Sequence, residues 1–256
     1  VQAPTAGSVV LAAVLLKLGS YGLLRVAVEI LPEGTKAWSA ILATVGIVSI
    51  VWGAFVALGQ KDLKSMIAYS SISHMGAVLL GIATLTTLGI TGAIYMMLAH
   101  GLISAMLFMS AGVVQHHAGT RMIDKLGGLA NGNAMPIASA ITLFAYLASL
   151  GLPGLAGFVA ELTIFIGTAD AFGWWVIVPL VTLVVTAGYY LYAFQRAYHG
   201  PENPALHIHG DIRWYEFVPM FILALATVAF GVWPALSAES MGDYAQRLVA
   251  LVHGGI

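Results

Sequence analysis

Four titratable side chains lie inside long apolar stretches of the sequence, at similar distances from the ends of those stretches. Lys17 lies about 11 residues, or roughly 17 Å, into the first stretch. His74 and His100 lie near the middle of the third and fourth stretches, and Glu161 follows a Gly-Leu-Pro-Gly string in the fifth. Histidine titrates at about pH 6.5 and exchanges protons at either ring nitrogen. Because burial moves amines and carboxyls toward their neutral forms, these four groups are suited to passing protons to one another.

Ionisable groups are costly inside a bilayer, by at least roughly 2.5–3.5 kcal/mol each, so they generally face a bundle interior or a water-filled path. Four of them at matched depth on separate helices predict a lateral proton path in the plane of the membrane. Hydroxyl groups one helical turn away are expected to orient water along this path. These hydroxyls belong to Ser20, Tyr21, Ser70 and Ser104.

Each of these residues also has a purely structural interpretation. A single intramembrane histidine beside a serine is more often part of an interhelical hydrogen bond than of a relay. Lys17 alone could pair with a carboxylate or a backbone carbonyl. The conjunction of four titratable groups with a broken helix favours transport, and a structural scaffold without ion flux stays as an alternative.

Four further histidines fall in predicted loops and carry no predicted function. A metal site needs three or four ligands in suitable geometry, and the sequence shows no third ligand at suitable spacing beside either histidine pair. We therefore expect them to be solvated, and we predict no metal site in the chain. They are His116, His117, His207 and His209.

The composition places the chain in a membrane. Its 256 residues are 60% hydrophobic and 8% charged, and the mean hydropathy is +0.93, whereas soluble domains carry about 25% charged residues. Several apolar runs exceed the roughly 20 residues that span a hydrocarbon core of about 30 Å. Strands of a membrane barrel would be about 10 residues of alternating pattern. The sequence therefore predicts an all-α polytopic membrane protein with about seven transmembrane helices.

Glycine, proline and charged residues delimit the predicted spans within a transmembrane domain over residues 1–236. The remaining residues, 237–256, form a tail with apolar residues at helical spacing, which predicts either a short interfacial helix or a frayed terminus. The predicted spans are 6–31, 38–59, 65–86, 90–115, 134–168, 174–197 and 215–236.

The fifth span, 134–168, has about 35 residues, which is too long for one simple crossing and too short for two. Pro153 removes a backbone donor from it, and Gly151 and Gly154 let the chain unwind there. We therefore predict a discontinuous helix. Membranes tolerate such a break only where it is buried in protein or lines a cavity.

Charge and cysteine usage exclude several classes of function. The net charge of −1, without basic blocks, argues against nucleic-acid binding. The absence of cysteine removes disulfides and thiolate-bound iron–sulfur clusters or haem. We therefore predict no cofactor in this chain and expect any electron carriers elsewhere. Because no signal peptide opens the sequence at Val1, we expect a piece of something larger.

The distribution of basic residues predicts the orientation. Six basic residues fall on the side where the first span begins and three on the other side. This excess puts residue 1 on the cytoplasmic side and the C-terminus outside. The six are Lys61, Lys64, Arg121, Lys125, Arg196 and Arg213, and the three are Arg25, Lys36 and Arg247.

Several ordered strings carry a family resemblance. They are QAPTAGS at 2–8, LLK at 15–17, DLK at 62–64, IAYSSISHMG at 67–76, AHG at 99–101 and GLPG at 151–154. Together they resemble the antiporter-like subunits of respiratory complex I over essentially the whole chain. A lysine usually occupies the position of Glu161 in the sister L-type subunits and in many Mrp antiporter subunits. The glutamate favours the M-type (chain 4) subunits and their archaeal F420H2 dehydrogenase relatives.

The resemblance implies a fold of fourteen transmembrane helices with inverted repeats, of which this chain would be the second half. It implies that Lys17 links two half-channels, that His74 and His100 belong to the central axis, and that Glu161 is the terminal group toward the outside. Asp62 and Lys64 also match motif positions, with proton-uptake or structural roles. The family's first repeat is missing from the sequence.

The implied function is that of a proton-translocating membrane-arm subunit of a complex I-like oxidoreductase, which takes electrons from NAD(P)H or F420H2 to a quinone or methanophenazine. Flavin, iron–sulfur clusters and quinone would lie in partner subunits. The implied partners are sister antiporter-like subunits and a peripheral electron-input arm, in the cytoplasmic membrane of a prokaryote. An Mrp-type sodium/proton antiporter or a membrane-bound hydrogenase remains an alternative.

Overall fold

The computed structural model describes residues 2–132, 134–206, 208 and 210–254. These residues form helices and connecting turns without a β-strand, which confirms the prediction of an all-α protein. Six apolar helical stretches among them are long enough to cross a membrane, and one of these, Ala156–Tyr198, contains two helices. The helices are α1 Thr5–Val28, α2 Pro32–Leu58, α3 Leu63–Ala83, α4 Thr87–Ala118, α5 Pro136–Ser149, α6 Ala156–Phe172, α7 Ile177–Tyr198, α8 Trp214–Val232 and α9 Ala235–His253.

Side-chain caps explain where two of the central helices begin. Asp62 accepts hydrogen bonds from the backbone N–H groups of Lys64 and Ser65, at 2.8 and 3.2 Å, at the start of α3. The Thr86 hydroxyl accepts from the N–H of Gly89 at 3.1 Å at the start of α4. Such caps satisfy donors that have no partner within the helix. The two helices that carry the intramembrane histidines therefore begin at defined points.

Helix α1 alternates between α-helical and π-helical turns. Leu11–Leu15 and Leu23–Val28 are π-helical, and the α-helical segment Leu16–Gly22 between them carries Lys17. π-helical turns are rare and occur frequently at functional sites. These turns lie on either side of the intramembrane lysine, which indicates that this segment of α1 belongs to a functional site.

Helix α4 is the centre of the bundle. Its 32 residues extend over about 48 Å, and it packs against α1, α3, α5, α6, α8 and α9. About two thirds of its most apolar stretch, 67%, is buried inside the protein, whereas the corresponding fraction of α1 is 11%. Side chains in the middle of α4 are therefore enclosed by other helices, and those of α1 lie at the edge of the bundle.

Glycines let α2 and α3 approach closely. A Cβ atom added at Gly53 of α2 would lie 2.7 Å from the backbone nitrogen of Ser73 on α3. A Cβ added at Gly76 of α3 would lie 2.7 Å from the carbonyl oxygen of Gly46 on α2. Small residues at such crossings allow the backbone contact on which helix association in membranes depends.

The predicted discontinuous helix is confirmed. Helix α5 ends at Ser149, and α6 begins at Ala156 in the same apolar run. Between them Gly151 and Gly154 have φ angles of +80° and +90°, in the left-handed region that glycine adopts without a steric penalty. The turn places the end of one half-helix and the start of the other within the bundle.

Helix α4 continues beyond the predicted limit of its span, and this corrects the expectation for two histidines. His116 and His117 lie in its last turn and not in a loop. The helix ends only at Gly119, where a φ of +70° provides the left-handed conformation of a C-terminal cap. The other two loop histidines, His207 and His209, lie outside the described residues.

The tail is helical up to His253. Helix α9 buries Ala245, Leu248 and Val252 and packs against α4. The Tyr244 hydroxyl donates a hydrogen bond to Glu29 Oε2 at 3.1 Å. The tail is therefore tied to the bundle. Its placement at a membrane interface stays a prediction, and residues 255–256 lie outside the described part.

We predict that Gly53→Ala destabilises the protein by about 1–3 kcal/mol, because the new methyl group meets backbone atoms of α3 that cannot rotate away. Thermal unfolding of the purified protein in detergent measures the effect. Gly188→Ala on α7 is the matched control, since nothing lies within 4 Å of its added Cβ. Equal unfolding midpoints for the two variants would contradict the close approach of α2 and α3.

Candidate functional site

Lys17 and His100 form the first pair of the candidate site. Lys17 Nζ on α1 lies 2.7 Å from His100 Nδ1 on α4. The same ammonium group donates a hydrogen bond to the carbonyl oxygen of Ala12, in the π-helical turn that precedes it. The lysine side chain thus runs back along its own helix, as helical side chains generally do, and its polar end meets the middle of α4.

The two histidines and Glu161 continue the row. The rings of His100 on α4 and His74 on α3 have centroids 5.3 Å apart and are tilted by 50°. His74 Nδ1 lies 3.6 Å from Glu161 Oε1 on α6. All three residues are buried. The structure therefore brings the four predicted residues together in one lateral row, Lys17, His100, His74 and Glu161, which crosses four helices.

A chain of hydroxyl groups branches from the row at His74. His74 Nε2 lies 3.2 Å from Ser149 Oγ, at the end of α5. Ser149 Oγ lies 2.7 Å from the hydroxyl of Tyr190 on α7, and Tyr190 donates to Ser70 Oγ on α3 at 2.9 Å. Both nitrogens of the His74 ring thus face a polar group, the Glu161 carboxylate on one side and a hydroxyl on the other.

The helix break positions Glu161. A Cβ atom added at Gly151 would collide with the Glu161 carboxylate, so the turn between α5 and α6 packs directly against this group. The left-handed conformation of Gly151 favours glycine there, and its missing side chain leaves the space that the carboxylate occupies. The glycine of the broken helix therefore leaves room for the carboxylate beside His74.

A small cavity adjoins the end of the row. It has a volume of about 20 Å³ and is lined by His74, Glu161, Ser73, Thr182 and Thr186, together with apolar side chains. A water molecule needs roughly 10–15 Å³ of such space and two to four polar partners. The cavity is therefore suited to a single water molecule beside Glu161, on the side of α7.

Not every hydroxyl predicted from helical spacing joins the site. Ser70 does so through Tyr190. Ser104 instead donates to the carbonyl oxygen of Gly101 on its own helix at 3.4 Å, and Tyr21 is 55% exposed. Ser20 makes no hydrogen bond to the described members of the row. The expectation that these three orient water along the path finds no support in the contacts.

Asp62 and Lys64 lie away from the row, near one end of the bundle. Asp62 caps α3 and forms a salt bridge with Arg121, with 2.7 Å between Oδ2 and Nε. Lys64 Nζ donates to the carbonyl oxygen of Ala3. These contacts fix the start of α3. They support a structural role for Asp62 and Lys64 and not a role in proton uptake.

Sequence reasoning missed Ser149 and Tyr190. Both are buried and link His74 to Ser70. A signal for each was present in the sequence, because Ser149 comes directly before the Gly-Leu-Pro-Gly break and Tyr190 is a polar aromatic residue in the middle of an apolar span. Neither residue has an Asp, Glu, His or Lys at helical spacing, so spacing alone did not select them.

Comparison with known proteins gives a consistent result. Residues 1–187 match the family described as "NADH:quinone oxidoreductase/Mrp antiporter, TM". The chain is 44% identical over 255 residues to F(420)H(2) dehydrogenase subunit M of Methanosarcina mazei, and the match covers 99% of this chain and 51% of that protein.

Solved structures show the same fold. A chain of respiratory complex I from Thermus thermophilus superimposes with a TM-score of 0.87 at 31% identity, over 93% of this chain and 50% of that one. A chain of the Mrp complex from Dietzia sp. DQ12-45-1b has the same fold, with a TM-score of 0.83 at 22% identity, over 92% of this chain and 53% of that one. This chain thus spans about half the length of the relatives that it matches.

We predict that Gly151→Ala destabilises the protein by about 1–3 kcal/mol, chiefly through its strained positive φ, and that the new methyl group displaces the buried Glu161 carboxylate at a further cost. Gly154→Ala is the matched control, because it has the same backbone strain with nothing within 4 Å of its added Cβ. Thermal unfolding should show a smaller loss for the control.

A double variant isolates the contact between the glycine and the carboxylate. Glu161→Ala removes the group that the Gly151→Ala methyl would meet, so the two losses of stability should not be additive. Additive losses would show that the turn does not press on Glu161.

Proposed function

Since the chain belongs to the NADH:quinone oxidoreductase/Mrp antiporter transmembrane family, we propose that it is a proton-translocating membrane subunit of a complex I-like oxidoreductase. The observation that carries the proposal is the row of four titratable groups on four helices. Consecutive members are separated by 2.7 Å between Lys17 Nζ and His100 Nδ1, 5.3 Å between the two histidine rings, and 3.6 Å between His74 Nδ1 and Glu161 Oε1.

The geometry permits a stepwise proton transfer. Lys17 donates a proton to His100 Nδ1, and His100 releases one from its other ring nitrogen toward His74. His74, which has gained this proton, then protonates the Glu161 carboxylate from Nδ1, while the Ser149 hydroxyl remains the hydrogen-bond partner of its Nε2. Each step moves one proton and one unit of positive charge. The number of protons on the row is therefore the same again once Lys17 has taken up one proton and Glu161 has released one.

Electrostatic coupling transmits a change of charge from one group of the row to the next. A charge at about 4–6 Å changes the protonation free energy of a neighbouring group by roughly 1.4–4 kcal/mol. A change of charge at Lys17 would therefore alter the proton affinity of His100 and, through it, of His74 and Glu161. In this proposal quinone chemistry in partner subunits sets the charge at the lysine end.

The proposal places the redox groups outside this chain. Flavin, iron–sulfur clusters and quinone would belong to partner subunits, in keeping with the absence of cysteine from the sequence. Sister antiporter-like subunits would adjoin the bundle, and a peripheral arm would deliver electrons from NAD(P)H or F420H2. The similarity to F(420)H(2) dehydrogenase subunit M, which covers 99% of this chain, supports its membership in such a complex.

The membrane and the orientation belong to the same proposal. The apolar helices are those of an integral membrane protein, and we assign it to the cytoplasmic membrane of a prokaryote. The excess of basic residues puts residue 1 on the cytoplasmic side and the C-terminus outside. Glu161 and the adjoining cavity then form the exit toward the outside.

An Mrp-type sodium/proton antiporter is the second candidate, because the matching family includes these antiporters. The chemistry of the row favours protons. Hard cations are bound by several oxygen ligands, whereas three of the four groups here are an amine and two imidazoles. Transport by the parent complex in sodium-free medium distinguishes the two, since a sodium-dependent antiporter stops there.

We predict that Glu161→Gln and Lys17→Ala each reduce proton pumping of the assembled parent complex several-fold, because each removes a proton-binding group from the row. Proton uptake per electron, measured in proteoliposomes, checks this. Glu239→Gln is the control, since it makes the same chemical change at an exposed position on α9. Loss of assembly with unchanged pumping per assembled complex would contradict the proposal.

The histidines separate a relay from a structural scaffold. We predict that His74→Ala and His100→Ala lower proton flux several-fold beyond any loss of stability, because each breaks the row between Lys17 and Glu161. Flux per folded complex and the unfolding midpoint are measured on the same preparations. A lower midpoint with normal flux would favour a scaffold in which the polar groups only join helices.

A further inference from the structure

A second cluster of titratable side chains lies at the end of α4. His116 and His117 are about 24 Å along this helix from His100, so the cluster is separate from the proton row. His116 Nδ1 lies 3.2 Å from Glu216 Oε1, and His117 Nε2 lies 3.0 Å from Glu216 Oε2. Glu216 belongs to the first turn of α8. The three side chains thus join the end of one helix to the start of another.

The two imidazoles converge although they are consecutive in the sequence. Neighbouring positions on an α-helix point about 100° apart and do not normally face each other. Here the ring centroids are 4.9 Å apart with an interplanar angle of 67°, and one nitrogen from each ring faces the same carboxylate. The ligand atoms of the three residues all lie within 4.8 Å of one another.

This spacing fits a transition metal ion. Imidazole and carboxylate ligands bind Zn²⁺ at about 2.0–2.2 Å, which puts ligand atoms of a tetrahedral site roughly 3.4 Å apart. The observed separations of 3.0 and 3.2 Å need only small side-chain rotations to admit an ion. Two imidazoles also distinguish the site from one for Mg²⁺ or Ca²⁺, which prefer oxygen ligands.

The surroundings orient the carboxylate and leave room for a further ligand. Glu216 Oε2 accepts a hydrogen bond from the backbone N–H of Arg213 at 3.0 Å, which fixes the direction of the carboxylate, as hydrogen bonds to metal-binding carboxylates generally do. A cavity of about 290 Å³, lined by Thr5, Gly112, His116, Tyr215 and Glu216 among others, adjoins the cluster. A water molecule can therefore occupy a fourth position.

We propose that His116, His117 and Glu216 bind a divalent transition metal ion of the Zn²⁺ type, which links the end of α4 to the start of α8. Nothing in the proton relay requires this ion. Because it would bind the folded helix pair and not the unfolded chain, its binding stabilises the protein by mass action.

Zinc content tests the site independently of transport. The intact parent complex is stripped with a chelator and titrated with Zn²⁺ against a chromophoric competitor, and bound metal is counted by mass spectrometry. We expect the parent complex to bind one equivalent more than His116→Ala and Glu216→Gln, or to bind that equivalent at least 10-fold more tightly. X-ray absorption of the additional zinc should show nitrogen ligands from two imidazoles.

His116→Ala is the decisive variant, because its side chain is 59% exposed and its loss does not disturb packing. His253→Ala removes an exposed histidine from α9 and should keep full binding. Equal zinc content and affinity in the parent complex and His116→Ala would overturn the proposal, as would the absence of any zinc that depends on this residue. The cluster would then be a hydrogen-bonded contact between two helices.

Discussion

An ionisable side chain in the low-dielectric interior of a membrane must find a partner, and this requirement organises the centre of the molecule. Removing one partner of a buried charged pair leaves an uncompensated charge, at a cost of several kcal/mol. Here no member of the row stands alone: Lys17 meets His100 and a backbone carbonyl, and Glu161 meets His74. The contacts that make burial tolerable are the same contacts along which we propose that protons pass.

The helices are shaped to supply these contacts. Gly151 brings the broken helix against the Glu161 carboxylate, and Gly53 and Gly76 bring α2 and α3 into backbone contact. The interruption between α5 and α6 gives up regular hydrogen bonds, which a bilayer tolerates only inside protein. The polar chain from Ser149 through Tyr190 lies at this interruption. Backbone irregularity and the candidate site therefore coincide in space.

The four residues of the row were predictable from the sequence. The depth of a residue in the membrane follows from its position along an apolar helix, and an ionisable group at that depth is costly enough to indicate a function. The hydroxyls were only partly predictable, because helical side chains point toward the N-terminus of the helix. Lys17 accordingly reaches back to Ala12, away from Ser20 and Tyr21 in the following turn. Ser70, which precedes its histidine, joins the site, and Ser104, which follows its histidine, does not. The direction of the side chains thus determines which hydroxyls reach the row, and residue spacing alone does not predict this.

Contacts between distant parts of the chain were not predictable from local patterns. Ser149 is 75 residues from His74, and Glu216 is 99 residues from His117. The prediction of a loop at His116 and His117 was wrong because α4 continues to Ala118, and without the position of α8 no third ligand was visible. The break at Gly151 and Gly154 was predictable because glycine and proline act on the backbone at their own positions, so the residue types alone indicate where a helix is interrupted.

The row is asymmetric in its burial, and this asymmetry bears on the direction of the proposed proton transfer. At one end Lys17 is half-buried on α1, a helix with only 11% of its apolar stretch enclosed. At the other end Glu161 is buried beside a cavity of about 20 Å³, which has room for roughly one water molecule. In the proposed relay, Lys17 is reached from the exposed side of α1, whereas a proton that leaves Glu161 meets the cavity beside α7. The relay that we propose therefore begins at the more accessible end of the row and ends at the more enclosed one.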